Sequence, residues 1–429
     1  MEKLYSINIR YMIHTIRQEG WPFFFICVYL FFEYVRPQSI YGQMDFLPYV
    51  PIIIALAFVT ALLNQEFGRQ SPSLISKLMV VYAAIVLFSS AFSQYPGVSF
   101  SNWRSFFDWL LIYFLIVSIV TNEKRFFIFF LSFLVYSLKM SQHGFLSWAK
   151  RGFAYAHWGV TGAPGWFHNS GEVGIQMCIF VPLAIAFIIG IYKHLSKPWL
   201  AFFLLMPITG IGTAIASTSR GAMVGLAGAG SWMILRRPRV FIAGALVLIA
   251  VAWVVIRVMP EEFAQRFETM GEDRTSIHRI ERIEHGIEAM NRHPFFGVGF
   301  EAWSDYYPRN FYLKDQGTLL VHNVFVQCGS ELGYPGLMVF CAMILACFMT
   351  TKKVRNLARG HPDRFFSILS YGFDGALVGF LISGSFVTVL YYPYFWIHCA
   401  LTVCLYTASV KKYAGGSEIS GSPGSVHRA

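Results

Sequence analysis

The sequence predicts an all-α integral membrane protein with about twelve transmembrane helices and one large helical loop outside the membrane. Three observations carry this. Of 429 residues, 55% are hydrophobic, 17% aromatic and only 13% charged, against roughly a quarter charged in soluble domains. Apolar runs recur from end to end at the ~17 to 25 residues needed to cross ~30 Å of hydrocarbon as helix, and not as the ten-residue alternation of a barrel. Finally, residues 257–336 form a long polar interruption between apolar runs. Unsatisfied backbone groups in lipid each cost several kcal/mol, so that segment lies outside the membrane.

Taken in order, the window criterion places spans near 22–36, 48–64, 74–92, 106–121, 125–143, 172–192, 199–217, 220–235, 239–257, 322–350, 366–387 and 393–410. The first run continues into FFEYVRPQ without a small-residue cleavage site, so it reads as an uncleaved helix and not a signal peptide. With the N-terminus inside, the inner segments hold twenty basic residues, whereas the short outer loops hold only Arg36, Arg104, Lys150, Arg151 and Arg220. Both termini are therefore expected in the cytoplasm and the polar insert outside. The net charge of +11 could suggest nucleic acid, but that bias accounts for it, and no nucleic-acid partner is expected. All seven cysteines sit in or beside apolar runs with no CxxC, which suggests neither a disulfide framework nor a metal site.

No internal repeat divides the chain, so residues 1–429 are expected to form a single polytopic domain. Residues 258–321 would be the loop insert between spans nine and ten, and the Gly/Ser-rich 412–429 a disordered tail. A second outer segment, 144–171, is rich in aromatics and glycine and carries His157 and His168. It reads as an interfacial aromatic belt, with sugar or head-group binding as the alternative.

Several residues suggest chemistry. Arg220 stands at an outer boundary, where an arginine either snorkels or grips an anion through paired hydrogen bonds. Within the insert, Ile277, Ile280, Ile283, Ile287 and Met290 recur at helical spacing, with Arg279, Glu281, Arg282 and Glu284 on the other faces. Salt bridges along a solvated helix explain much of that charge. Pro294, in HPFFGVGF, should stop the helix. His322-Asn323 then opens the tenth span, followed after nine residues by Gly333-Tyr334-Pro335-Gly336. A neutral imidazole can deprotonate a hydroxyl while arginines stabilise a phosphate leaving group, and the glycines permit a helix break or close packing. Glu33, Lys139, Glu331, Asp374 and His398 are ionisable groups inside spans, of which only Glu33 has an evident local partner, Arg36. They keep a transporter or lipid flippase as the competing class.

Three stretches, TSRGAMVGL at 218–226, RIERIEHGIEAMNRHPFFGVGF at 279–300 and HNVFVQCGSELGYPG at 322–336, resemble the O-antigen ligase family and its sister polymerases. The last fits the ligase pattern of His-Asn, nine residues and Gly-x-x-Gly. The resemblance implies a metal-independent, cofactor-free glycosyltransferase of the bacterial inner membrane with a periplasmic active site. The donor would be an undecaprenyl-diphosphate-linked glycan and the acceptor a hydroxyl of the lipid A core oligosaccharide, with a polymerase or a protein O-oligosaccharyltransferase as close rivals. His322 would be the general base, Asn323, Gly333 and Gly336 its supporting motif, and Arg220 with Arg279 the diphosphate ligands. Arg282 or Arg274 could replace Arg279, because Ile283 occupies a position where many members have tryptophan.

Overall fold

The computed structural model describes residues 1–68, 72–154, 159–163, 167, 169–242, 274–311 and 320–414. Those residues form helices joined by turns and contain no strand. Thirteen helices frame the site: α1 Trp21–Leu30, α2 Tyr49–Leu63, α3 Leu74–Ala91, α4 Arg104–Ile119, α5 Glu123–Lys150, α6 Ser170–Ile191, α7 Lys197–Ala216, α8 Arg220–Arg236, α9 Arg274–Arg292, α10 Trp303–Asn310, α11 Val324–Leu357, α12 Phe365–Gly384 and α13 Pro393–Ala414. Local chemistry sets many of the starts. Ser73, Asn122, Asn169, Ser219 and Asn323 each accept a backbone N–H of the first turn that follows, filling donors a helix leaves unpaired.

Six helical segments among the described residues are long and apolar enough to cross a membrane: Leu74–Ala91, Glu123–Lys150, Ser170–His194, Lys197–Ala216, Val324–Leu357 and Phe365–Gly384. This makes the chain a polytopic helical membrane protein, with fewer qualifying spans than the twelve expected. The shortfall has physical causes. Helices α1, α2, α4 and α8 lie where spans were expected but have only 10, 15, 16 and 17 residues, while His398, Thr402, Ser409 and two lysines dilute the apolar run of α13. Most of the expected ninth span, 239–257, lies outside the described residues, as do His157, His168 and most of the tail.

Helix α6 is apolar on every side, and its interior position follows from that pattern. It packs against α8 and α12 through residues too small to hold the backbones apart: Gly174 lies on Ala222, Gly225 on the Gly379 carbonyl and Gly379 on the Cys178 carbonyl. Because the starts of α6 and α8 meet the end of α12, this trio gathers Glu172, Arg220 and Ser383–Phe386 at one end of the bundle. Three of the intramembrane ionisable groups, Asp374, Glu33 and Lys139, have partners. Asp374 accepts from Arg355 at 2.8 Å and from the Thr351 hydroxyl at 2.5 Å, Glu33 pairs with Arg36 at 3.8 Å, and the Lys139 ammonium donates to the Val35 carbonyl. Neither Asp374 nor Lys139 had a partner identifiable from spacing.

Helix α11 is broken. Gly333 sits at φ 70°, ψ −175° inside it, a conformation essentially reserved for glycine. Pro335, which has no N–H, leaves the Glu331 carbonyl without its helical donor, and the Tyr334 N–H turns away to the Pro294 carbonyl at 2.8 Å. The orphaned carbonyls are taken up by the segment after α9. Val298 N–H donates to Ser330 at 2.8 Å and Gly299 N–H to Glu331 at 3.2 Å, while Ser89 of α3 adds a hydroxyl to Glu331 at 2.8 Å. Gly297, at φ 66°, lies so close to the Glu331 backbone that any side chain would collide with it. HPFFGVGF is therefore a strap across the break.

Gly333→Ala is expected to destabilise the protein by about 2 kcal/mol or more, because alanine is strained at that φ and its methyl would meet the Pro294 carbonyl at 2.6 Å. The melting midpoint in detergent should fall for this variant and stay unchanged for Gly97→Ala, whose added methyl would meet nothing within 4 Å.

Candidate active site at the start of the broken helix

The strap ends α9 at Arg292, one residue before the His293-Pro294 pair, and lays that helix along the start of α11. Gly286 packs on Val326, and Met290 on Gly329. The face turned inward consists of Arg282, Gly286, Ala289 and Met290, whereas Ile277, Ile280 and Ile287 are 53%, 50% and 41% exposed. This corrects the reading of a solvated charged face opposite a buried isoleucine stripe. Small residues at 286 and 289 let the two backbones approach, which the branched isoleucines would prevent. Intrahelical pairs do form on the outer faces, between His278 and Glu281 at 3.6 Å and between Glu288 and Arg292. Over α9, the rings of Trp303, Tyr306, Tyr307 and Phe311 join Ala289, Val298 and Val321 in a small core separate from the main one.

Arg282 is thus buried at 6% exposure, and Arg279, half-buried one turn earlier, faces the same way. Both lie close enough to His322 to act on it electrostatically. The histidine is held away from its ordinary pKa, down to about 4, first by burial and then by the charges of Arg279 and Arg282. It stays neutral at physiological pH. Its backbone is in the left-handed region at φ 57°, and its N–H donates to Thr388 Oγ1 at 2.8 Å. Asn323 caps α11 by accepting from Phe325 and Val326 N–H at 2.9 and 3.1 Å, and its own amide donates to the Ser385 carbonyl at 3.3 Å. The His-Asn pair is therefore fixed to the α12–α13 connection.

Arg220 is the first residue of α8, half-buried at the same end. Its neighbour Gly221 packs on Phe386, one residue after the Asn323 partner Ser385. Of the expected site residues, Arg279 and Arg282 lie within electrostatic reach of His322, Arg220 joins them through Phe386 and Ser385, and Gly333 and Gly336 shape the break behind them. Gly336 packs so closely on Leu332 that a larger residue would clash. The Arg274 side chain lies outside the described residues.

Two groups escaped the sequence reading. Glu172, buried at 6% exposure, accepts from Asn169 Nδ2 at 2.6 Å and from the Tyr392 hydroxyl at 2.9 Å, and Gly171 beside it touches Val387. Asn169 and Glu172 have the spacing of a capping box ahead of an apolar run, a signal that could have found it. Glu301 follows the strap, and burial pushes its carboxyl up to about 7 against an opposing hydrogen bond with Ser105. Nothing in local sequence marks Glu301 or the Thr388 anchor. Among the described residues, no three His, Cys, Asp or Glu side chains gather as metal ligands.

Residues 200–341 match the family model described as O-Antigen ligase. That match contains all three motif stretches and every expected site residue. Residues 3–150 match a second model, described only as a family of unknown function. No curated protein matches the chain.

Asn323→Ala removes the cap of α11 and its tie to Ser385, so it is expected to cost about 1 kcal/mol. Thermal melting in detergent should show the loss, and Asn323→Asp, which keeps the accepting oxygen, should recover most of it.

Proposed function

We propose that this chain, which carries an O-antigen ligase family domain over residues 200–341, is a membrane glycosyltransferase. It transfers a polysaccharide from undecaprenyl diphosphate to a sugar hydroxyl of the lipid A core. The observation that carries this reading is the half-buried His322, kept neutral beside Arg279 and Arg282. A neutral imidazole accepts a proton, and neighbouring guanidinium groups hold a diphosphate through paired hydrogen bonds. Arg220 supplies a third cation from α8. A buried Arg282 with half-buried Arg279 and Arg220 suits an anion, and a diphosphate fits that charge better than a neutral sugar.

In the proposed reaction the acceptor oxygen attacks the anomeric carbon as its proton passes to His322. The bond from that carbon to the diphosphate oxygen breaks on the opposite face, and the carrier leaves as an anion stabilised by the arginines. Configuration inverts, with no covalent enzyme intermediate. The leaving group is weakly basic, so no general acid is needed, and the arginines supply the positive charge a metal would otherwise provide. Donor and base are coupled: a bound diphosphate offsets the charge of Arg279 and Arg282 and so raises the basicity of His322. The His322 end faces the periplasm of the inner membrane and both termini face the cytoplasm, as the distribution of basic residues favours. Segment 258–321 is the periplasmic insert and 412–429 the cytoplasmic tail.

Purified protein incubated with undecaprenyl-diphosphate glycan and lipid A core is expected to put glycan on the core lipid, read by gel mobility and mass, with or without chelator. His322→Ala should slow this by about 10²- to 10⁴-fold, and unchanged transfer would remove the base assignment. Longer carrier-linked chains would identify a polymerase instead. Arg220→Lys should lose about tenfold or more although charge is kept, because an ammonium cannot form the paired contact.

The pH dependence follows from the same arrangement. His322 works only when neutral, so activity falls as pH drops through its pKa. The acid limb of kcat/KM, which reports free enzyme, should lie near pH 4. That of kcat, which reports the donor complex, should lie higher. Coincident limbs would contradict the coupling.

A further inference from the structure

At the other end of the bundle, the last turns of α8 and α11 and the first turn of α12 enclose a cavity of about 650 Å³. Six basic side chains line it: Arg236, Arg237, Lys352, Arg355, Arg359 and Arg364. Among the described residues, the one carboxylate in the lining is Asp374, already engaged by Arg355 and Thr351. On α11 the lining of this cavity begins at Phe348, 26 residues after His322 and on the far side of the break at Gly333. It therefore belongs to neither the candidate active site nor its electrostatics.

Topology alone accounts for basic residues on one side of the membrane, and not for their convergence on one concavity. Helix ends do not account for it either. The C-termini of α8 and α11 contribute about half a negative charge each, and the N-terminus of α12 offsets half of that. A large positive surplus remains. The arginines are also held in place by aromatic faces. Arg236 lies over Trp232 at 4.5 Å, and Arg237 and Arg355 lie over Tyr371 at 5.4 and 4.8 Å, while Arg237 Nε donates to the Tyr371 hydroxyl at 2.9 Å. A guanidinium held over a ring by its face can still turn N–H donors outward to grip phosphate. Val240, Phe348 and Ile368 give the cavity an apolar wall, which suits the glycerol and acyl part of a lipid.

We infer that this cavity is a binding site for a phosphate-bearing anion, supplied by a lipid head group of the adjoining leaflet or by phosphate from solution. Binding here stands apart from the transferase reading, and its test uses no activity. Full-length protein in detergent is titrated with dioctanoyl phosphatidylglycerol, dioctanoyl phosphatidylcholine or inorganic pyrophosphate, and bound molecules are counted by native mass spectrometry. The wild type should hold phosphatidylglycerol more tightly than phosphatidylcholine. Arg236→Ala with Arg359→Ala, both exposed, should weaken binding about tenfold or more. Arg10→Ala with Arg17→Ala removes the same charge away from the cavity and should change binding little. If pyrophosphate alone binds and is lost in the cavity variant, the site holds and its ligand is soluble. Equal losses in the two double variants, or none in the cavity variant, would overturn the site.

Discussion

The candidate site depends on two backbone carbonyls. A helix that contains Gly333 and Pro335 cannot satisfy Ser330 and Glu331 by itself, and buried carbonyls without donors are costly. The strap from Pro294 to Gly299 supplies the missing N–H groups. One set of hydrogen bonds thus closes the break in α11 and fixes where α9 ends. Since α9 carries Arg279 and Arg282, and α11 begins beside His322, the same bonds set the distance between the histidine and its arginines. The two motifs separated along the chain are halves of one joint.

The joint explains an otherwise unfavourable arrangement. A half-buried histidine beside two cations resists protonation, Arg282 is buried, and His322 adopts a backbone conformation uncommon for residues with a side chain. Each of these costs about 1 to 3 kcal/mol or more in isolation. They persist because rigid elements on every side determine them: Thr388 holds the His322 backbone, Asn323 is tied to Ser385, and Gly286 presses α9 onto Val326. The α6, α8 and α12 trio fixes the other side through glycine contacts that leave no room for rotation. In the proposed reaction, the charged diphosphate would offset part of that cost.

Most of this architecture was legible in the sequence wherever a periodic or positional signal existed. Helices start at Ser73, Asn122, Asn169, Ser219 and Asn323 because those side chains cap, and Gly333 and Pro335 announced the break. What misled was the isoleucine stripe of α9. Hydrophobic periodicity finds a helix but does not say which face packs when the partner's approach is set by glycine and alanine. Thr388 and the Arg355 partner of Asp374 come from distant segments, and no local pattern encodes such a meeting. Glu172 was the avoidable omission, since its capping-box spacing is local.

Arginine serves two purposes in this chain, and the surroundings distinguish them. At the His322 end the arginines are few, at least partly buried and set beside a titratable base, so an arriving anion alters the chemistry of that base. At the other end they are numerous and largely exposed, and three of them lie over the rings of Trp232 and Tyr371. Among the described residues no histidine lines that cavity, and its carboxylate, Asp374, is already engaged by Arg355 and Thr351, so an anion there can be held but meets no open acceptor for a proton. Charge alone therefore does not distinguish the two arginine clusters. What sets Arg279 and Arg282 apart is the histidine whose protonation they control.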